Sequence, residues 1–208
     1  MNIFLGNPPE DIKQWIINDY NRKQEEKRKI PLCFEAVDAG ATIALKCNGN
    51  SLKSATFQTS TDGENWSDYT YETPITLTIT NDKADKVYFR AKADNTAIAR
   101  NSSNYLQFTT TQAAKKVNVS GNIMSLLAPE FSSLIDLSTL RSGNPGTYQF
   151  YKVFYLCKNI NDCSNLNIPA TTLADSCYGN MFNRCSSLTQ APTLPATTLA
   201  GSCYFCMF

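Results

Sequence analysis

The chain has no histidine among its 208 residues. That removes at once the commonest general base, the commonest metal ligand and every histidine-dependent triad, so an enzyme here would need another design. Charge of one sign is also lacking. Nineteen Lys and Arg against 18 Asp and Glu leave a formal net charge of +1, which makes no electrostatic case for nucleic acid. No apolar run approaches the roughly 20 residues a membrane span needs, so membrane insertion is not expected. The opening Met-Asn-Ile-Phe-Leu-Gly-Asn-Pro-Pro has no basic stretch and only three consecutive apolar residues before Gly6, too little for a secretory signal. As written, the chain reads as soluble, not exported, and long enough for one or two domains.

What is present is self-similarity. Ile168–Phe182, IPATTLADSCYGNMF, and Leu194–Phe208, LPATTLAGSCYFCMF, are identical at eleven of fifteen positions at an offset of 26. A worn third copy lies upstream: Phe150, Val153, Phe154, Cys157 and Ile160 match Tyr178, Met181, Phe182, Cys185 and Leu188 at an offset of 28. A period in the twenties is the mark of a solenoid, in which each unit is too small to bury its own apolar face and must stack on the next. Leu188, Leu194 and Leu199 alternate with Pro, Thr and Ser, whereas Cys-Tyr-x-x-Met-Phe spaces its bulky groups three and four apart. Each unit is therefore expected to be a short strand plus a short helical or 3₁₀ turn, a leucine-rich-repeat plan.

Upstream the period changes. Asn7-Pro-Pro-Glu10 carries helix-start signals, and Ile12, Trp15, Ile16 and Tyr20 follow at helical spacing, predicting a helix from about Pro8 into the mid-twenties. The run Arg22–Lys29 is charged on all sides and reads as a solvated extension or linker. From Leu32 to about Val119 the period is two: Ile43, Leu45 and Cys47; Ile75, Leu77 and Ile79; Val87, Phe89 and Ala91; Leu106 and Phe108. Turn signals at Asp38-Ala-Gly40, Asn48-Gly49, Asp62-Gly63 and Asn81-Asp82 separate these strands. Six or seven antiparallel strands predict an immunoglobulin-like or fibronectin-III-like sandwich. The expected fold is thus mainly β. Residues 1–30 form a helix and charged spacer, 31–119 a sandwich, 120–149 (with Ser142-Gly-Asn-Pro-Gly146) a linker and repeat cap, and 150–208 the repeats.

Candidate chemistry is sparse. Cys203-Tyr-Phe-Cys206 has no second pair at zinc-like spacing, and Cys203 is simply the repeat equivalent of Cys177. Cys157 and Cys185 also occupy equivalent places, as small buried side chains in an inward ladder would. Cys33 and Cys47 fall on neighbouring predicted strands, where a disulfide is disfavoured without a signal peptide. Carboxylates in the repeats, Asp162 and Asp175, are out of register and lack a second acid for a glycosidase pair. Catalytic residues, metal ligands and cofactors are therefore not expected. Trp66, Tyr69 and Tyr71, just past Asp62-Gly63, could stack on sugar rings, but packing of Trp66 across the sandwich core is preferred. The stripe Ile12, Trp15, Ile16 and Tyr20 either docks on another chain or packs on its own sandwich, and the former is preferred as an anchor and assembly interface.

The phrase Cys185–Ala200, CSSLTQAPTLPATTLA, resembles the repeat of BspA-type leucine-rich surface proteins of gut bacteria and their phages. Phe57–Trp66 with Val87–Ala91 is similar to the Ig-like modules of bacterial and phage surface proteins. The opening Phe-Leu-Gly-Asn-Pro-Pro-Glu-Asp-Ile-Lys-Gln-Trp-Ile resembles the N-termini of head or tail fibre proteins of crAss-like phages. These resemblances imply adhesion and display: a virion fibre made in the host cytoplasm without an export signal. It would bind capsid or other virion proteins through its helix and a host surface glycan or protein through its modules. They also imply a homotrimer. A bacterial cell-surface adhesin whose signal and anchor are missing is the alternative. Because the chain stops at Met207-Phe208, in register with Met181-Phe182, further repeats or a covering partner are expected beyond it.

Overall fold

A computed structural model describes residues 10–49, 52–95, 97–139 and 147–208. It is mainly β, with one N-terminal helix and several sheets. Helix α1 (Glu10–Arg28) opens on Glu10 and Asp11 and closes on Lys27 and Arg28, the order that complements a helix dipole. The start signal at Asn7–Pro9 lies outside the described residues. The charged run does not form a linker but continues the helix. Arg22 bonds Asp19 and Glu26 at 2.6 Å each, and Lys23 bonds Asp19 at 2.7 Å. Three- and four-residue spacing on a helix brings these groups together, and hydrogen bonds from Lys23 and then Arg22 hold the Asp19 carboxyl below its usual range.

The strands in chain order are β1 (Leu32–Ala36), β2 (Ala41–Asn48), β3 (Phe57–Ser60), β4 (Ser67–Tyr69), β5 (Ile75–Leu77) and β6 (Ile79–Thr80). They continue with β7 (Lys83–Ala84), β8 (Lys86–Ala91), β9 (Ala99–Asn101), β10 (Asn104–Thr109), β11 (Val117–Asn122), β12 (Ile160–Asp162) and β13 (Leu166–Asn167). One sheet has the order β12-β11-β1-β8-β3-β4, with β13 also paired to β11, and a second has the order β5-β2-β10-β9. The period-two residues point where the alternation requires. Leu32, Phe34, Val87 and Phe89 from the first sheet meet Ile43, Leu45, Leu106 and Phe108 from the second in one buried core. The Phe34 and Phe89 rings lie 4.7 and 5.1 Å from that of Phe108. The third run is interrupted after Leu77, and Ile79 belongs to a separate hairpin, β6–β7, turning through Asn81 and Asp82 at φ 50° and 60°. Cys33 and Cys47 sit in different sheets, both as free thiols.

Beyond β11 the chain winds in stacked coils whose registers repeat the sequence offsets. Phe150, Tyr178 and Tyr204 form one ring column, with centroids 5.5 and 5.8 Å apart; Phe154, Phe182 and Phe208 form another, at 5.1 and 5.6 Å. Isolated parallel bridges join Asp136 to Thr172 and Thr172 to Thr198 on one side, and Asp162 to Gln190 on another. The expected helical turn is absent from every described coil. In its place is a run of tight turns with a left-handed residue at each fourth position: Tyr148, Lys152 and Leu156; Ser176, Asn180 and Arg184; Ser202 and Cys206.

The hydrogen bonds explain why. Tyr151, Val153, Tyr155 and Cys157 donate N–H groups three residues back within the coil. Phe150, Lys152, Phe154 and Leu156 donate theirs to carbonyls of the next coil, at 2.7–3.1 Å. Alternate amides are thus claimed by the neighbour, which leaves too few for a helix. Each coil also covers the one before it: Ile168 and Leu173 are buried, while their equivalents Leu194 and Leu199 are 38% and 62% exposed.

The sheets and the coils share one core. Strand β11 pairs in parallel with β12 and β13, so a sequence boundary at 119/120 falls inside a strand that both regions use. Phe154 stacks on Phe108 at 5.6 Å, the Phe108 N–H donates to the Val153 carbonyl at 2.8 Å, and Gln149 accepts from the Ile98 N–H at 3.0 Å. Within the stretch before the first ring pair, the Leu137 N–H donates to the Thr172 carbonyl at 3.0 Å; Ser142–Gly146 lie outside the described residues.

Candidate interaction surfaces

The placement of α1 rests on the end of β11. Gly121 has φ +77°, and a Cβ there would sit 1.9 Å from the Pro31 carbonyl oxygen, so only glycine lets the two segments cross. Next to it, the fully buried Asn122 donates its backbone N–H to the Ile30 carbonyl at 2.8 Å. Its side-chain amide donates to the Arg28 carbonyl at 2.9 Å and accepts from the Met124 N–H at 3.0 Å. An orphan carbonyl of the last helical turn is thereby satisfied by a residue that also starts the following 3₁₀ turn.

No helix residue is buried. Ile12, Trp15, Ile16 and Tyr20 are 47%, 66%, 50% and 62% exposed. The stripe therefore does not pack on the chain's own sheets. Ile17, at half exposure, extends it and was not singled out by the spacing. Toward the C-terminus the row continues as Tyr20, Gln24 and Lys27, which overhang the coils and, with Asn165, Asn167 and Thr193, line a cleft of about 230 Å³. A second hollow of about 300 Å³ shares Lys27, Asn165 and Asn167 with it and reaches Glu35, Asn118 and Ser120 on the outer face of the first sheet.

The aromatic trio expected beside Asp62-Gly63 does not form one surface. The Tyr69 ring meets Phe89 edge-on at 5.3 Å; its hydroxyl accepts from the Leu45 N–H and donates to the Thr73 carbonyl, at 2.9 and 2.8 Å. Tyr71 packs on Phe57 and donates to the Ala55 carbonyl at 2.7 Å. Both serve the core, because the alternation of β4 turns Tyr69 inward. Trp66, expected across the core, instead stays on the outer face of the sheet, half-buried under the Arg90 guanidinium at 4.0 Å, while the two tyrosines take the inner side. Arg90 is itself held by Gln58, which reaches Asp68, and Lys92 pairs with that same carboxylate.

A second aromatic patch was not anticipated. Lys152 Nζ lies 5.0–5.2 Å from the ring centres of Tyr105, Tyr151 and Tyr155, with Tyr148 against Tyr151 at 5.2 Å. Its signal was in the worn copy, where tyrosines replace Ser176, Gly179 and Asn183 of the next. Glycine at 179 gives that ring its room, since a Cβ would approach the Tyr151 ring to 3.0 Å.

Six of the eight thiols are buried. Burial pushes Cys177 and Cys185 up to about 12 and Cys157 well above its ordinary value. Cys203 is buried and Cys206 exposed, so the C-x-x-C pair does not face one site. Among the described residues no group of three or more Cys, Asp or Glu converges as a metal would require, and no helix is long and apolar enough to cross a membrane. No family model, no curated protein and no solved structure matches this chain.

Proposed function

We propose that this chain is a non-enzymatic attachment protein, a bacteriophage virion fibre. The apolar face of α1 binds a capsid or neighbouring virion chain. The paired sheets act as an immunoglobulin-like module and the stacked coils as a leucine-rich-repeat solenoid, both displayed toward host or mucosal glycans or proteins. The observation that carries this reading is the apolar stripe of α1, left in water although a shared core stands within reach of the same helix. An uncovered apolar face on a charged, otherwise solvated helix is what a docking element looks like before it docks. Support for display comes from the coils, whose outward positions carry Thr, Asn, Ser and Tyr.

Ile12, Trp15, Ile16 and Tyr20 would bury about 400 Å² of apolar surface on a partner, worth about 10 kcal/mol before association costs of comparable size. A homotrimer would bring three such stripes together and convert weak attachment into useful avidity. The test is assembly: Trp15→Ala with Ile16→Ala should abolish incorporation into particles while leaving the fold intact by circular dichroism. Unchanged incorporation would refute the anchor. A monomer at micromolar concentration in sedimentation of the intact protein would refute the trimer.

A further inference from the structure

We propose that the cleft beneath the C-terminal half of α1 binds a neutral oligosaccharide. This deepens the attachment reading and rests on it. The cleft is built from two sides, with Tyr20, Gln24 and Lys27 forming its roof and Asn165, Asn167 and Thr193 part of its floor. The side-chain amides of Gln24, Asn165 and Asn167 have no protein partner among the described residues, whereas those of Asn118 and Asn161 are paired at 3.1 Å and that of Asn122 is used up by the helix end. Gln24, Asn165 and Asn167 all line this one space.

The chemistry of the lining selects the ligand. Each free amide offers both donor and acceptor, the combination that matches the vicinal hydroxyls of a sugar. Charge gives little help to an ion. Lys27 is the cation of the roof, Glu35 at the far end is already paired with Lys86 at 3.4 Å, and Asp162 accepts the Ser164 N–H at 2.6 Å. A phosphate or nucleic acid would find one free positive charge, and an apolar ligand would find Leu166 and Ile168 already buried under the polar rim. An extended peptide needs an unpaired strand edge or pockets for alternate side chains. Here β11 is paired on both sides.

The experiment is a titration of the full, isotope-labelled chain with maltohexaose and, separately, with the hexamer of N-acetylglucosamine, following amide shifts. The expected result is saturable shifts at Gln24, Asn165, Asn167 and Thr193 with one or both sugars. Asn165→Ala combined with Asn167→Ala should weaken binding at least tenfold at unchanged melting temperature, and Gln24→Ala should weaken it as well. Three results would overturn the proposal: no saturable shift with either sugar at about 10 mM, ten times the affinity worth about 4 kcal/mol; shifts confined to the Tyr105–Tyr151 patch; or undiminished binding by the double variant. Trp15→Ala should leave sugar binding unchanged while blocking particle assembly, so failure of the cleft and failure of the anchor are read separately.

Discussion

Replacing Asn122 by alanine tests how α1 is held over the rest of the chain. The substitution removes the donor to the Arg28 carbonyl at 2.9 Å and the acceptor of the Met124 N–H at 3.0 Å, at a position with no exposure. Met124 is fully buried, so its N–H is left without a partner, at a cost of about 1–3 kcal/mol. The Arg28 carbonyl ends a solvated helix and can turn to water, adding less than about 1 kcal/mol. A total loss of about 1–4 kcal/mol is expected, a drop of roughly 2–16 °C in melting temperature for a chain of this size. Hydrogen exchange should accelerate in the last turn of α1 beyond the global effect. Asn122→Asp adds a sign that alanine lacks: its carboxyl keeps the acceptor but is buried facing a carbonyl, so its folded pKa lies above the unfolded one. Stability should therefore be fullest below about pH 4 and fall as pH rises through the folded value. A loss below about 0.5 kcal/mol for Asn122→Ala, with unchanged exchange near Arg28, would refute this account of the helix.

The remaining expectations concern the coils. Tyr178 is fully buried and its hydroxyl has no partner among the described residues, while Phe150 fills the same place one coil earlier; Tyr178→Phe should stabilise by about 1 kcal/mol in urea unfolding. Arg184 is exposed at φ 63°; Arg184→Gly should be neutral or stabilising by up to about 1 kcal/mol, whereas in a helical turn it would cost about 1 kcal/mol. In the native protein a thiol reagent such as dithiobis(nitrobenzoate) should label Cys206 at once, whereas Cys157, Cys163 and Cys177 should wait for unfolding.

Much of this architecture was legible from spacing. The offsets of 26 and 28 reappear as ring columns, and the alternations at Ile43–Leu45, Val87–Ala91 and Leu106–Phe108 reappear as strands facing one core. The turn strip was misread for a physical reason. Phe150, Val153, Phe154 and Cys157 all point inward, the same three-and-four pattern that one face of a helix produces. What separates the two is backbone sign, and of the eight left-handed residues in the strip only Asn180 is of a type that favours that conformation. The cost is met by bonds to the adjoining coil, which no local window contains. Trp66 rather than the tyrosines was assigned to the core because period two says that faces alternate but not which face is wet. The exposed stripe of α1 was readable from its spacing, but the cleft beneath it depends on Asn122 and Gly121, nearly a hundred residues away.

The turn strip has one more property. Its coil-to-coil bonds all run one way, from the N–H groups of one coil to the carbonyls of the next. Every coil therefore presents the same acceptors to its predecessor and the same donors to its successor, whatever side chains it carries. The two-residue difference between the 28- and 26-residue offsets is absorbed in the stretches joining the strips, Cys157 to Ser176 and Cys185 to Ser202, where it disturbs none of these bonds. As far as these backbone bonds are concerned, a coil can be gained or lost by in-frame duplication or deletion; what ties a coil to its own neighbour is side-chain fit such as that of Tyr151 over Gly179. Length then becomes a trait that varies in steps of one coil.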